Sequence, residues 1–156
     1  GISRMTFYYH FKDIYDLADW TLQEALHAAI AENRTHDTWQ QGFLNLLEAL
    51  KAHQSLILNA YRAIDRELVE RYMRREVEAL LLPVVEEQAA GIKISEKGKH
   101  RVAVFYAYAF MGVVMEWIQR NMAASPQEVA ATTAAMIHGD FRNSLENMSR
   151  YEAKKA

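Results

Sequence analysis

Only 2 prolines and 6 glycines punctuate this chain of 156 residues, and that scarcity of breakers constrains the fold more than any other feature. Long stretches, such as the one between Gly42 and Pro83, contain neither glycine nor proline, so long helices are expected. Apolar side chains recur within them at three- and four-residue spacing. No alternating strand pattern competes, and no internal repeat is visible. The chain is therefore expected to be all-α. With 51% hydrophobic and 24% charged residues it has the balance of a globular protein rather than a disordered one. Its length suits one domain, or one domain with a small appendage.

Read in order, the periodicity divides the chain in two. Asp13 can cap a helix in which Ile14, Leu17, Ala18, Leu22, Ala25, Leu26, Ala29 and Ile30 keep helical spacing. That helix would leave a small module at 1–34 and enter a larger body at 35–156. The polar run Asn33-Arg34-Thr35-His36-Asp37-Thr38 interrupts the pattern. From Trp39 the residues Phe43, Leu46, Leu47, Leu50 and then His53 make a stripe, and Ile57, Ala60, Tyr61 and Ile64 a shorter one. Asp65 should cap a long helix running towards Gly91, with Val69, Tyr72, Met73, Val77, Leu80, Leu81 and Val84 inward and a kink at Pro83. Its charges pair at a spacing of four (Arg66 with Glu70, Glu67 with Arg71, Glu70 with Arg74, Arg74 with Glu78), the pattern of a solvated face.

After a loop over 91–98, a helix from about 99 to 121 is apolar around most of its circumference, so it should be covered on more than one side. Its longest apolar run, Val102 to Met115, is shorter than the ~18 residues of a membrane span and holds two tyrosines; no membrane segment is expected. Ser125-Pro126-Gln127-Glu128 opens the last helix with a capping box and a proline at the first helical position. Val129, Thr133, Met136, Ile137, Phe141, Leu145 and Met148 form its stripe, while Ala130, Ala131, Ala134 and Ala135 allow another helix to approach. These last two helices could bury against each other and against their copies in a second subunit.

The opening stretch Gly1-Ile2-Ser3-Arg4-Met5-Thr6-Phe7-Tyr8-Tyr9-His10-Phe11-Lys12-Asp13 carries the most specific signal. Read as a helix capped by Ser3, it puts Phe7 and Phe11 on one face and Met5 and Tyr9 on the other, flanked by Thr6 and Tyr8. Arg4 and Lys12 stand at its ends with no acid before Asp13, which leaves about −4 for the remaining residues once those two cations are taken from the net −2. Gly1 before the cap suits the tight turn of a helix-turn-helix, whose second helix enters the DNA major groove N-terminus first. The helices that would complete such a module are expected to precede Gly1. Without them the 156 residues are expected to dimerise but to bind DNA poorly.

Catalytic chemistry finds little support. The absence of cysteine excludes disulfides and thiolate metal sites and fits a reducing compartment. The six histidines lack the His-x-x-x-His spacing of two ligands on one helix. Glu24 and His27 have the Glu-x-x-His spacing of carboxylate di-metal bundles, which need a second such motif, and Glu96 with His100 reads as a surface pair. There is neither a glycine-rich phosphate loop nor a nucleophile elbow. No enzyme activity, metal or cofactor is expected. His53 could orient a small molecule, with Tyr61, Met73, Tyr106 and Phe110 lining a cavity between helices; periodicity equally accommodates all five as filled core.

The opening stretch, followed by Tyr15-Asp16-Leu17, closely resembles the end of the helix-turn-helix of TetR-family transcriptional regulators. The run Asp37-Thr38-Trp39-Gln40-Gln41-Gly42-Phe43, together with Phe110-Met111-Gly112-Val113-Val114-Met115-Glu116-Trp117-Ile118 and Ser125-Pro126, looks like a branch common in Gram-positive bacteria. That branch includes the dihydroxyacetone-kinase operon activator DhaS. The resemblance implies a cytoplasmic all-α homodimer joined through its last two helices, acting on a double-stranded DNA operator. It implies that Thr6, Tyr8, Tyr9 and His10 approach bases and backbone, that Lys12 lies near the phosphates, and that Ser3 and Arg4 stand at the start of the same reading helix. Where the family often has a lysine this chain has Ile14, so one phosphate contact is lost and salt dependence should weaken slightly. For the body it implies a repressor controlled by a small molecule between the central helices, or a DhaS-like regulator controlled by a protein partner. A helical carrier or enzyme that retains the motif is the remaining alternative.

Overall fold

The computed structural model describes residues 27–28, 35, 37–63, 66–137 and 139–155; within the helices, the side chains of 60, 63, 66–69, 72 and 73 are not among those described. The expectations for the opening helix and for most of the helix after it lie outside the described residues. Six helices follow: α1 (Trp39–Ala52), α2 (Gln54–Ala63), α3 (Arg66–Gln88), α4 (Glu96–Gln119), α5 (Pro126–Met136) and α6 (Asp140–Ala153). The fold is all-α, with no strand among the described residues.

The stripe of α1 is buried as its spacing requires, with Phe43, Leu46, Leu47 and Leu50 fully enclosed and Trp39 nearly so. Thr38 holds the N-cap position but does not cap with its side chain. Its hydroxyl accepts instead from the Thr35 backbone N–H (3.1 Å), linking Thr38 to Thr35 ahead of the helix. His53 is not part of a continuous stripe. It sits in the one-residue turn between α1 and α2, where its carbonyl accepts from the Ile57 N–H (3.0 Å) and starts the second helix.

α3 carries Val77, Leu80, Leu81, Val84 and Val85 into the core. It runs through Pro83 as one helix. Of its expected surface pairs, Arg74 and Glu78 meet at 3.7 Å. The side chains of Val69, Tyr72 and Met73, and the proposed cap Asp65, lie outside the described residues.

α4 is the strut on which α3 and α6 pack. It begins at Glu96 rather than Lys99, because Ser95 is a working N-cap: its Oγ accepts from the Gly98 N–H (3.0 Å). Gly98, expected at the end of a loop, lies within the first turn. Any Cβ there would come within 2.7 Å of Glu152 Oε1 and of Ile94 Cγ1. The helix stops in a Schellman motif, the Asn121 N–H donating to Ile118 O (2.9 Å) and the Met122 N–H to Trp117 O (2.8 Å). Asn121 supplies the left-handed conformation (φ 55°) and Met122 (φ 54°) is buried completely. By length and composition α4 would suffice to cross a membrane, but half of its most apolar window is buried inside the fold, as befits a core helix.

The largest departure from the periodicity lies at the C-terminus. The single stripe from Val129 to Met148 is broken into α5 and α6 at 137–139, where Gly139 takes φ 79°. The two halves have different destinations. α5 buries Val129, Ala130 and Thr133 against α1, whereas α6 buries Phe141 and Leu145 and packs on α4 and α3. A straight helix would have to choose between those surfaces. Met136, placed on the inward stripe by its spacing, is instead 66% exposed at the break. The α5 start is as expected, with Pro126 in the first turn and Ser125 Oγ accepting from the Glu128 N–H (3.2 Å).

Candidate functional site

The reading-head residues Ser3, Arg4, Thr6, Tyr8, Tyr9, His10 and Lys12 lie outside the described residues. The body can be built from its side chains upward. Phe110 projects from α4 into the centre of the core, edge-on to Phe43 (ring centroids 4.7 Å) and Trp39 (5.6 Å). Trp39 in turn meets Phe141 at 5.8 Å, so one aromatic cluster joins α1, α4 and α6. Tyr106, one turn before Phe110, faces α6: its ring lies 4.4 Å from that of Phe141 and its hydroxyl shares a 2.8 Å hydrogen bond with Ser144 Oγ. Burial pushes the Tyr106 phenol above its ordinary value of 10.0, the Ser144 bond opposes this, and the charge of Asp140 adds to it.

The other candidates sit elsewhere. Tyr61 is half-buried on α2 against the edge of the core, and His53 is half-buried at the α1–α2 turn. Met73 is on α3, its side chain outside those described. Tyr106 and Phe110 therefore share one face of α4, while His53 and Tyr61 belong to the α1–α2 side.

Glu76 is the residue that its charge alone misplaces. It belongs by charge with the mixed ions of a solvated face, yet it is only 3% exposed. It stands four residues before Leu80 and three after Met73, on the inward stripe of α3, and that spacing is the signal in the sequence that could have found it. α4 covers the side of α3 that carries Arg74 and Glu78: Arg74 lies over the Tyr108 ring at 5.9 Å and His100 Nδ1 is 4.0 Å from Glu78. Glu76, two residues from each, is directed across the helix, away from α4. One of its oxygens, Oε1, is 3.5 Å from the guanidinium of Arg75, whose side chain is mostly exposed. The other, Oε2, is buried with no hydrogen-bond partner among the described residues. Nδ1 of His27, which precedes α1, lies 3.9 Å from it. Glu96, expected to face His100, pairs with Lys99 instead. Among the described residues no group of histidine, cysteine and carboxylate ligands could hold a metal.

A second polar constellation fixes the end of α4. Lys51 Nζ donates to Met122 O (2.7 Å), Gln54 Nε2 to Asn121 O (2.8 Å) and the Arg62 guanidinium to Asn121 Oδ1 (2.8 Å). Three donors from α1 and α2 thus hold one left-handed turn, which couples the α1–α2 pair to the far end of the strut.

The outer face of α4 is the third feature. Phe105 (66% exposed) and Tyr108 (52%) stand with exposed Ala109 and Gly112 in a single stripe along the helix. The expectation that α4 is covered on more than one side holds, since α3, α6 and α5 all pack on it, and this outer stripe stays exposed in the single chain.

A family model for the C-terminal region of transcriptional regulators, of TetR type, matches residues 37–139, well over half of the chain. A search of curated proteins finds no significant match. The matched region extends from the start of α1 to the glycine ahead of α6, and so takes in Trp39, Phe43, Tyr106 and Phe110 of the aromatic core, the strut and its clasped end. The chain belongs to the TetR family of transcriptional regulators.

Proposed function

We propose that this chain is a dimeric, DNA-binding repressor of TetR type whose body, 35–156, receives an effector, and whose segment 1–34 holds the end of a helix-turn-helix and the connecting helix. The family match, which begins at residue 37, carries the reading. The residues Ser3, Arg4, Thr6, Tyr8, Tyr9, His10 and Lys12 are the proposed DNA contacts, because hydroxyl, imidazole and cationic groups at one helix end suit phosphate oxygens and base edges. The exposed stripe of α4 is the proposed dimer face: an aromatic pair followed by small residues is what a helix from a second copy would cover. The effector site is proposed between the central helices, with His53, Tyr61, Met73, Tyr106 and Phe110 as its candidate lining.

Control by a protein partner, as in the DhaS-like branch, is a second reading, favoured by the filled aromatic centre around Phe110. The test for the regulator itself is operator binding by the full-length protein to its own upstream DNA across a salt series. Binding should weaken steeply with salt, and Tyr9→Ala should reduce it by about tenfold or more, the worth of a good base or backbone contact. Equal affinity of the two proteins would count against the assignment. A small molecule that releases the operator supports the repressor reading, and release only on addition of a purified protein supports the other.

A further inference from the structure

We propose that Glu76 anchors a cationic effector: an amine, amidine or guanidine on an apolar body, whose charged nitrogen takes the place that His27 now holds against the carboxylate. This rests on the effector reading above. A carboxylate on the inward stripe of a core helix is out of place unless both oxygens are answered. Here only Oε1 is answered, by the Arg75 guanidinium at 3.5 Å. Oε2 is buried and accepts no hydrogen bond from any described residue. His27 approaches it to 3.9 Å, too far to donate, and the His27 side chain is itself 66% exposed, so it can leave without opening the core. The site thus presents a carboxyl oxygen with an acceptor position unfilled among the described residues, beside a histidine side chain that reaches solvent.

The chemistry selects the ligand. A neutral hydroxyl could fill the acceptor position but would leave a carboxylate charge unmatched, whereas an ammonium or amidinium answers both. Leu80 and Leu81, on the next turn of α3, make the buried surroundings along that helix apolar. The geometry also supplies the response. His27 precedes α1, ahead of it lie the proposed DNA contacts, and its ring stands against Glu76 at 3.9 Å. A cation that takes this place moves His27 off the body, and in this proposal that changes how the reading heads are held.

The test uses the full-length protein, with hexylammonium and octylammonium as probes against hexanol and octanol, read by calorimetric titration and by release of operator DNA. The wild type should bind each ammonium ion about tenfold or more tightly than the alcohol of equal length, the value of one charge-assisted hydrogen bond. Glu76→Gln, which keeps the volume and can be checked for folding by its circular dichroism melt, should abolish that preference and leave the alcohol affinity unchanged. His27→Ala should raise the ammonium affinity, because a competitor has been removed. Equal binding of ammonium and alcohol by the wild type overturns the inference while leaving a general effector site standing. So does a preference that survives Glu76→Gln, and an unchanged ammonium affinity in His27→Ala removes the displacement step. If neither class of probe binds a protein that still holds its operator, the effector reading falls together with this one.

Discussion

Glu152 shows how much one exposed carboxylate can organise. Its two oxygens accept from the Ser95 N–H (2.9 Å) and from Ser95 Oγ (2.6 Å), while Ser95 Oγ accepts from the Gly98 N–H, so the last helix is hooked onto the first turn of α4. The hydroxyl, then the amide, holds this carboxyl below the ordinary glutamate value of 4.5, with Arg101 helping slightly against the cost of burial. A carboxyl depressed in the folded state stabilises it above the unfolded value and loses that contribution as the pH falls through the folded one. The melting temperature of the wild type should therefore drop on acidification below about pH 4.5, and Glu152→Gln should start lower at neutral pH and show a flatter acid limb. Parallel acid limbs for the two proteins, followed by circular dichroism, would show that the hook contributes nothing. Gly98 is part of the same arrangement: with a Cβ 2.7 Å from Glu152 Oε1, alanine would push the carboxylate off its two donors.

The elements differ in how openly their sequences announce them. α1 and α3 were legible because nearly every stripe residue that is described points into one core: Phe43, Leu46, Leu47 and Leu50 on the first, Val77, Leu80, Leu81 and Val84 on the second. The start of α5 was legible because Ser125 and Pro126 act locally. The break between α5 and α6 was not, because a helical period carries across 137–139 without losing phase, and only the surfaces of α1 and α4, far away in the chain, require the change of direction. Gly139 meets that requirement at φ 79° with open space where a Cβ would stand. Gly139→Ala therefore introduces backbone strain and no clash, and should cost about 1–2 kcal/mol in a denaturant melt. A D-alanine at the same position should restore stability, because it favours positive φ. If the L-variant is as stable as the wild type, a continuous helix is available to the sequence after all. The site residues were only partly legible for the same reason. Periodicity placed Tyr106 and Phe110 inward but could not say that one bonds Ser144 and the other fills an aromatic cluster, and charge assigned Glu76 to a face it does not occupy.

At the scale of the whole molecule, the unfinished side of α4 decides what the chain does next. Packing within the core already satisfies Val102, Tyr106, Phe110 and Val114, so the burial of Phe105 and Tyr108 is left to another surface. In the proposed dimer the two copies of α4 and the helices beside them meet across a two-fold axis, so each interaction there occurs twice. Covering one exposed Phe ring contributes about 1.5–3 kcal/mol, so replacing it with a charge in both copies removes at least about 3 kcal/mol, before the cost of burying the carboxylates themselves. Phe105→Glu combined with Tyr108→Glu should therefore weaken association by about a hundredfold or more. Sedimentation at micromolar concentration should show a dimer for the wild type and a monomer for the double variant. Because Phe105 is 66% exposed and Tyr108 52% exposed in the single chain, the helical content should remain intact. Operator affinity should fall with the dimer, since a single reading head engages only one half-site. A wild type that stays monomeric, or a double variant that still pairs, would place the subunit contact elsewhere on the molecule.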